Sequence, residues 1–279
     1  SRGAVGALNA AALPAAVRRI EVPVPPPGHN GKAVAVVAGW QHGTAPRVVI
    51  ADEDVRWPEA ELRTALRLLD HVAVVRPQNV FSPAPWHARW DTARSLINRA
   101  FGGDWPGTVV VRRDALPAGW YDTRVLFENF QLVRTVQAGG GTEHVARGLM
   151  VPRRPPTVRR FLEQRVRQAY DSQAQPLRVA VELALLPAVA LAAQARRGPL
   201  VAVAGPLICV VVAEVGRRRD AGAAVFPPSA SWWAPLWVAE RAVCAWVALG
   251  LRLGGGVRYA GTTLRRAAAP AGGPEEGTG

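Results

Sequence analysis

Residues 32 to 140 alternate two kinds of apolar pattern. The segments RVVIA (47–51), VAVVRPQ (72–78) and GTVVVRRDAL (107–116) hold short β-branched runs bounded by polar or turn residues, which predicts strands. Between and after them, KAVAVVAGWQHG (32–43), PEAELRTALRLLDH (58–71), WDTARSLINRAF (90–101) and DTRVLFENFQLVRTVQAGG (122–140) predict helices. Gly43 is placed to cap the first, Pro58 opens the second and paired glycines close the last. Upstream, residues 4–19 suit a helix, RRIEVPVP a short strand ending at prolines, and PPPGHNGK a turn-rich loop. Strands alternating with helices predict an α/β fold with a mostly parallel sheet flanked by helices.

Beyond Pro176 the polar positions nearly vanish. LRVAVELALLPAVALAAQA (177–195) carries Glu182 as its one acid, and PLVAVAGPLICVVVAEVG (199–216) follows a tight RRG link. Apolar runs of roughly 17–25 residues match a hydrocarbon core of about 30 Å. Arginines at their ends and Trp232, Trp233 and Trp237 as an interfacial belt fit two transmembrane helices. A third, WWAPLWVAERAVCAWVALGL (232–251), has Glu240 and Arg241 mid-segment and reads as a further span or an interfacial helix. Residues 254–279 read as a disordered tail.

Composition adds two constraints. Over 279 residues the net charge is +13, and nearly all of it is arginine, with Lys32 the sole lysine. Such a chain suits anionic lipid or phosphorylated substrates. Nucleic acid is not expected as a partner, because the charge is dispersed and no basic–aromatic interleaving is present. Cys209 and Cys244 lie in apolar runs, and with no CxxC or Cys/His cluster they read as buried small residues. The five histidines are scattered. PAPWHARWD (83–91) reads as a flexible, interface-seeking loop. The start lacks the pattern of a signal peptide.

The stretch VVIADEDV (48–55) carries the candidate chemistry. An apolar strand leads straight into Asp52, Glu53 and Asp54. In open α/β sheets ligands bind outside the carboxyl ends of strands. Two carboxylates at i and i+2 can converge there on Mg²⁺ or Mn²⁺, which take hard oxygen ligands and bridge to phosphates.

With GHNGKAVAVVAG (28–39), GTVVVRRDAL, FENFQLVRTVQAGG (127–140) and FLEQRVRQAY (161–170) in order around it, and apolar segments after, the chain resembles family 2 glycosyltransferases of the GT-A fold. The likeness is to the membrane-bound, ceramide glucosyltransferase-like and processive branch. It implies an incomplete GT-A catalytic domain over 1–160, an interfacial helix with a QRxR motif over 161–176, and a membrane region of two or three helices over 177–253. Asp52 and Asp54 would hold Mg²⁺ or Mn²⁺. Asp52, Lys32, Gln164, Arg165 and Arg167 would bind a nucleotide-sugar diphosphate, and Asn129, Gly107 and Thr108 the acceptor. The family opens with a further strand and acidic turn, so Ser1 is expected to lie inside a domain.

Two positions depart from the pattern. The family has Glu-Asp where this chain has Glu128-Asn129, and Asn cannot take a proton, which leaves Glu128 as candidate base. Gln168 replaces the tryptophan of the motif. The function implied is an inverting hexosyltransferase, moving sugar from a nucleotide donor to a lipid-linked or glycan acceptor. It would act in contact with membrane lipids at the cytoplasmic face of the inner membrane. A catalytically inactive transferase relic acting as membrane scaffold is the alternative.

Overall fold

The structure, a computed structural model, describes residues 17–116, 122–259 and 261–269. The helix expected over 4–19 falls largely outside them, and residues 18–25 form no strand. Helix α1 (Gly31–His42) is capped by Asn30, whose side chain accepts from Lys32 N, and ends on Gly43. Strand β1 (Arg47–Ala51), helix α2 (Glu59–Leu68), strand β2 (Val74–Phe81), helix α3 (Trp86–Ala100), strand β3 (Thr108–Arg112), helix α4 (Glu128–Ala138), strand β4 (Glu143–Arg153) and helix α5 (Val158–Asp171) follow. The segment read as a loop at 83–91 is the start of α3. There Trp86, His87 and Trp90 pack on Phe161, and Trp90 stacks on Trp233 at 6.4 Å.

The sheet is mixed, in the order β1-β3-β2-β4. Strand β3 is antiparallel to β1 and β2, whereas β2 and β4 are parallel. Thus β1, β2 and β4 point one way and β3 runs back between them, a reversal that the sequence reading of a mostly parallel sheet did not include. The reversal sets Thr108 opposite Ala51, and Phe81 lies opposite Arg153, so one edge gathers three strand ends and one strand start. Val109, Val110 and Val111 on the central strand are fully buried. Burial of each stabilises by about 1.5–3 kcal/mol. Ile50, Val74, Leu132, Val133 and Val136 join Val109 and Val111 in one cluster.

Helices α6 (Pro176–Gln194), α7 (Gly198–Arg218) and α8 (Ala234–Leu253) follow. The three helical segments there are long and apolar enough to cross a membrane. Leu177, Leu191, Val203 and Leu207 are exposed on the first two. Helix α8 turns Arg241 inward, 1% exposed. Of the proposed tryptophan belt, Trp232 is exposed, Trp233 packs on Trp90, and Trp237 is buried. Cys209 and Cys244 are free thiols, half-buried rather than fully buried.

Helix α3 joins the two halves. Leu96 and Ala93 pack with Ala213, Phe226 and Trp237, and Gly216 of α7 lies against the Leu96 carbonyl. Buried Arg99 donates to the Gly216 carbonyl at 3.0 Å and the Arg147 carbonyl at 2.7 Å. Of the tail expected to be disordered, residues 254–259 and 261–269 instead carry hairpin strands β5 (Val257–Tyr259) and β6 (Thr262–Leu264) and return to the α/β half, whereas 270–279 lie outside the described residues. There the Leu126 and Phe127 amides donate to the Arg266 and Ala267 carbonyls, at 3.0 and 2.8 Å.

Candidate active site

The sheet edge opens on a cavity of about 650 Å³. Asp52, Asp54, Gly107, Glu128, Asn129 and Lys32 line it from the strand ends, α1 and α4; Gln164, Arg167, Gln168, Asp171, Arg178 and Arg241 line it from α5, α6 and α8. Each acid after β1 meets a cation from a different element. Lys32 Nζ lies 2.5 Å from Asp52 Oδ1 and 2.5 Å from Glu128 Oε1. Arg153, at the end of β4, lies 2.7 Å from Asp54 Oδ2 and 3.6 Å from Asp52 Oδ2. Arg160 of α5 reaches Glu53 at 3.1 Å. That is why a strand can end in three carboxylates: they form the counter-charged wall of a cleft.

Local structure fixes these partners. Buried Asn30 caps α1 and donates to the Val125 and Leu126 carbonyls at 3.1 and 3.3 Å. One side chain thereby holds Lys32 beside the segment leading into α4 and Glu128. The Asp52 amide donates to the Gly107 carbonyl at 2.8 Å. A Cβ on Gly107 would press on Asp52 Oδ2, so glycine leaves the room that the carboxylate takes in this position. Burial alone would lower the Lys32 pKa; Glu128 and Asp52 outweigh it and raise it, holding the ammonium charged.

Most residues singled out from sequence line this cavity; Thr108 and Arg165 do not. Thr108 is fully buried and donates to the Ile50 carbonyl at 2.7 Å while accepting from Trp57, so it serves the sheet rather than the cavity. Arg165 points the other way from Gln164 and Arg167, because successive helix positions lie on different faces. It pairs with Asp91 at 3.1 Å and Glu240 at 3.6 Å, tying α5 to α3 and α8. Asn129 lines the cavity and donates to the Pro106 carbonyl at 3.0 Å.

Sequence reasoning missed Arg153, Asn30, Asp171 and Arg241. Asn30 carried a signal, an N-cap residue ahead of a helix, and Arg241 carried one as a charge inside an apolar run; Arg153 and Asp171 carried none. Asp171 ends α5, and its buried Oδ1 has no hydrogen-bond partner. Burial raises its pKa to about 7, against Arg167 acting the other way, with Glu128 adding to the rise.

Among the described residues no group of three or more His, Cys, Asp and Glu side chains is gathered to hold a metal. Asp52 and Asp54 nevertheless fit a two-carboxylate site. Both reach the same Arg153 guanidinium, and Asp54 Oδ1 is buried without a hydrogen-bond partner. Two hard oxygens completed by substrate phosphates are a usual Mg²⁺ arrangement.

An α/β fold with an acid-lined cleft at its strand ends and apolar helices behind it is the class defined here. No protein-family model and no curated protein matches the chain. Among solved structures the chain is similar to the mannosyltransferase PcManGT from Pyrobaculum calidifontis in complex with GDP-Man and Mn2+. The identity is 20% and the TM-score 0.47, over 77% of this chain and 66% of that one, so the chain spans about two thirds of that protein's length.

Proposed function

We propose that the chain is a glycosyltransferase that moves a sugar from a nucleotide-diphosphate donor to an acceptor presented by a membrane. The observation that carries the reading is the convergence of Asp52, Asp54, Lys32 and Arg153 at the strand ends, in one cavity with Gln164 and Arg167. Acids for a cation and cations for phosphates are the two charges a metal–diphosphate needs.

In this reading Asp52 and Asp54 hold Mg²⁺ or Mn²⁺, which supplies Lewis-acid stabilisation of the leaving diphosphate. Arg167 and Gln164 contact the diphosphate from α5, and Lys32, paired with Asp52 and Glu128, adds positive charge beside it. Asn129 and Gly107 border the acceptor path. A single displacement would invert the anomeric carbon. Arginines over 153–178 favour a cytoplasmic catalytic half beside anionic lipid, where each is worth roughly 1 kcal/mol.

The test is incubation of the protein in membranes with labelled UDP- and GDP-sugars and Mn²⁺. Transfer to a lipid or glycan, lost with chelator and in Asp54→Ala, is the expected result. A folded protein that neither binds nucleotide nor transfers sugar would instead be a scaffold, as Asn129 in place of an aspartate would allow.

A further inference from the structure

The cavity reaches beyond the strand-end acids. It continues between α5 and the membrane helices, where it holds three buried polar groups without hydrogen-bond partners: Gln168 Oε1, Asp171 Oδ1 and the Arg241 guanidinium, all three of whose nitrogens are unpaired. A buried polar group left unpaired costs about 1–3 kcal/mol, more when charged. Three residues that carry such groups and line one space point to a ligand that satisfies them. An ionisable side chain in the middle of an apolar helix marks a functional site by default.

The chemistry of that ligand follows from what each group lacks. Arg241 stacks over Trp237 at 5.2 Å, and the Glu182 and Glu240 carboxylates are already among its charged neighbours, with Arg165 and Arg178. The guanidinium thus has negative charge nearby but no hydrogen-bonded acceptor. Asp171 and Gln168 both present oxygens, which call for donors. A phosphate would meet Asp171, Glu182 and Glu240 with the wrong sign. A hydroxyl donates and accepts at once and suits all three.

We propose that this membrane-side end binds an uncharged, hydroxyl-bearing acceptor headgroup, with Asp171 as the base that takes the hydroxyl proton and Arg241 holding a neighbouring oxygen. The proposal rests on the transferase reading above and names its acceptor. As the acceptor oxygen bonds to the anomeric carbon, its proton passes to the Asp171 carboxylate. The bond from that carbon to the diphosphate breaks, and the electron pair leaves with the nucleoside diphosphate. Glu128 is the rival carboxylate, but its Oε1 is held by Lys32 at 2.5 Å. The charged groups acting on Asp171 are Arg167 on its own helix, Glu128 on α4, Arg241 on α8 and Arg94 on α3. A carboxyl titrating near neutrality is matched to proton abstraction at physiological pH.

The experiment uses the full chain in vesicles with labelled nucleotide sugar and Mn²⁺, offered octyl glucoside or octyl phosphate as acceptor. Transfer to the glucoside, rising with pH through about 7, is expected. Asp171→Asn should lower kcat by about 100-fold or more at unchanged donor KM, with Asp171→Glu recovering part of the loss. Arg241→Gln should raise KM for the glucoside by about 10-fold. Nucleotide binding by each variant shows that it has folded. The proposal is overturned if Asp171→Asn keeps wild-type kcat, if Glu128→Gln alone removes the rise with pH, if only the phosphate accepts sugar, or if donor binds and neither acceptor does. Absence of donor binding in the wild type overturns the transferase reading itself.

Discussion

Lys32 Nζ lies 2.5 Å from Asp52 Oδ1, and the same ammonium reaches Glu128 at 2.5 Å. One cation thus joins the strand-end acid to the start of α4 and competes with any metal for Asp52. Lys32→Gln should raise Mn²⁺ affinity in the absence of nucleotide and lower nucleotide-sugar affinity by about 10-fold, or roughly 1.4 kcal/mol. Free Mn²⁺ measured by electron paramagnetic resonance, and nucleotide titration by calorimetry, check the two halves. A drop in both would show that Lys32 organises the acids rather than competing for them.

Gly107 leaves the room that Asp52 fills. Gly107→Ala should displace the Asp52 carboxylate and weaken Mn²⁺-dependent nucleotide binding by at least about 10-fold, with the fold intact by circular dichroism. Gly39→Ala is the control: nothing lies within 4 Å of the added Cβ, and a helix-interior alanine stabilises by up to about 1 kcal/mol. Equal nucleotide affinity in both variants would remove Asp52 from the donor site.

Arg165 holds three helices together through Asp91 and Glu240. Removing one partner of a buried pair costs about 3–5 kcal/mol. Arg165→Met should therefore lower the unfolding temperature markedly while leaving KM for the donor unchanged. A large rise in donor KM in a stably folded variant would restore the donor role that the sequence motif implied.

Asp171 makes stability depend on pH. Its folded pKa, raised by burial to about 7, exceeds its ordinary value of 3.8, so the folded state keeps a proton that the unfolded chain releases. That contribution is complete below pH 3.8 and is lost as pH rises through about 7. Asp171→Asn removes it and should raise the unfolding temperature relative to wild type by a few degrees at pH 8 and little at pH 4. Equal shifts at both pH values would show that Asp171 is not held neutral by its surroundings.

The elements around the site were legible because each has a one-dimensional signature. RVVIA is β-branched, and Pro58 and Gly43 punctuate the helices they border. The acid cluster at the tip of β1 was visible as a breach of that pattern. Strand β4 was not, because Arg147, Gly148 and Pro152 interrupt its alternation, and parallel pairing with β2 forms it regardless.

The sequence by itself determined strands β1 to β3, most of the helices and the apolar spans, and that acids end β1, since spacing along the chain fixes local backbone preference and one-sided burial. Only the tertiary structure decided which charges meet. Arg153 reaches Asp54 across 99 positions because β4 ends at the same sheet edge as β1. The reversed β3 brings Gly107 to Asp52, and α8 carries Arg241 to the cavity that Asp171 lines. Local pattern holds no record of strand order or helix docking, and those two choices assemble the site.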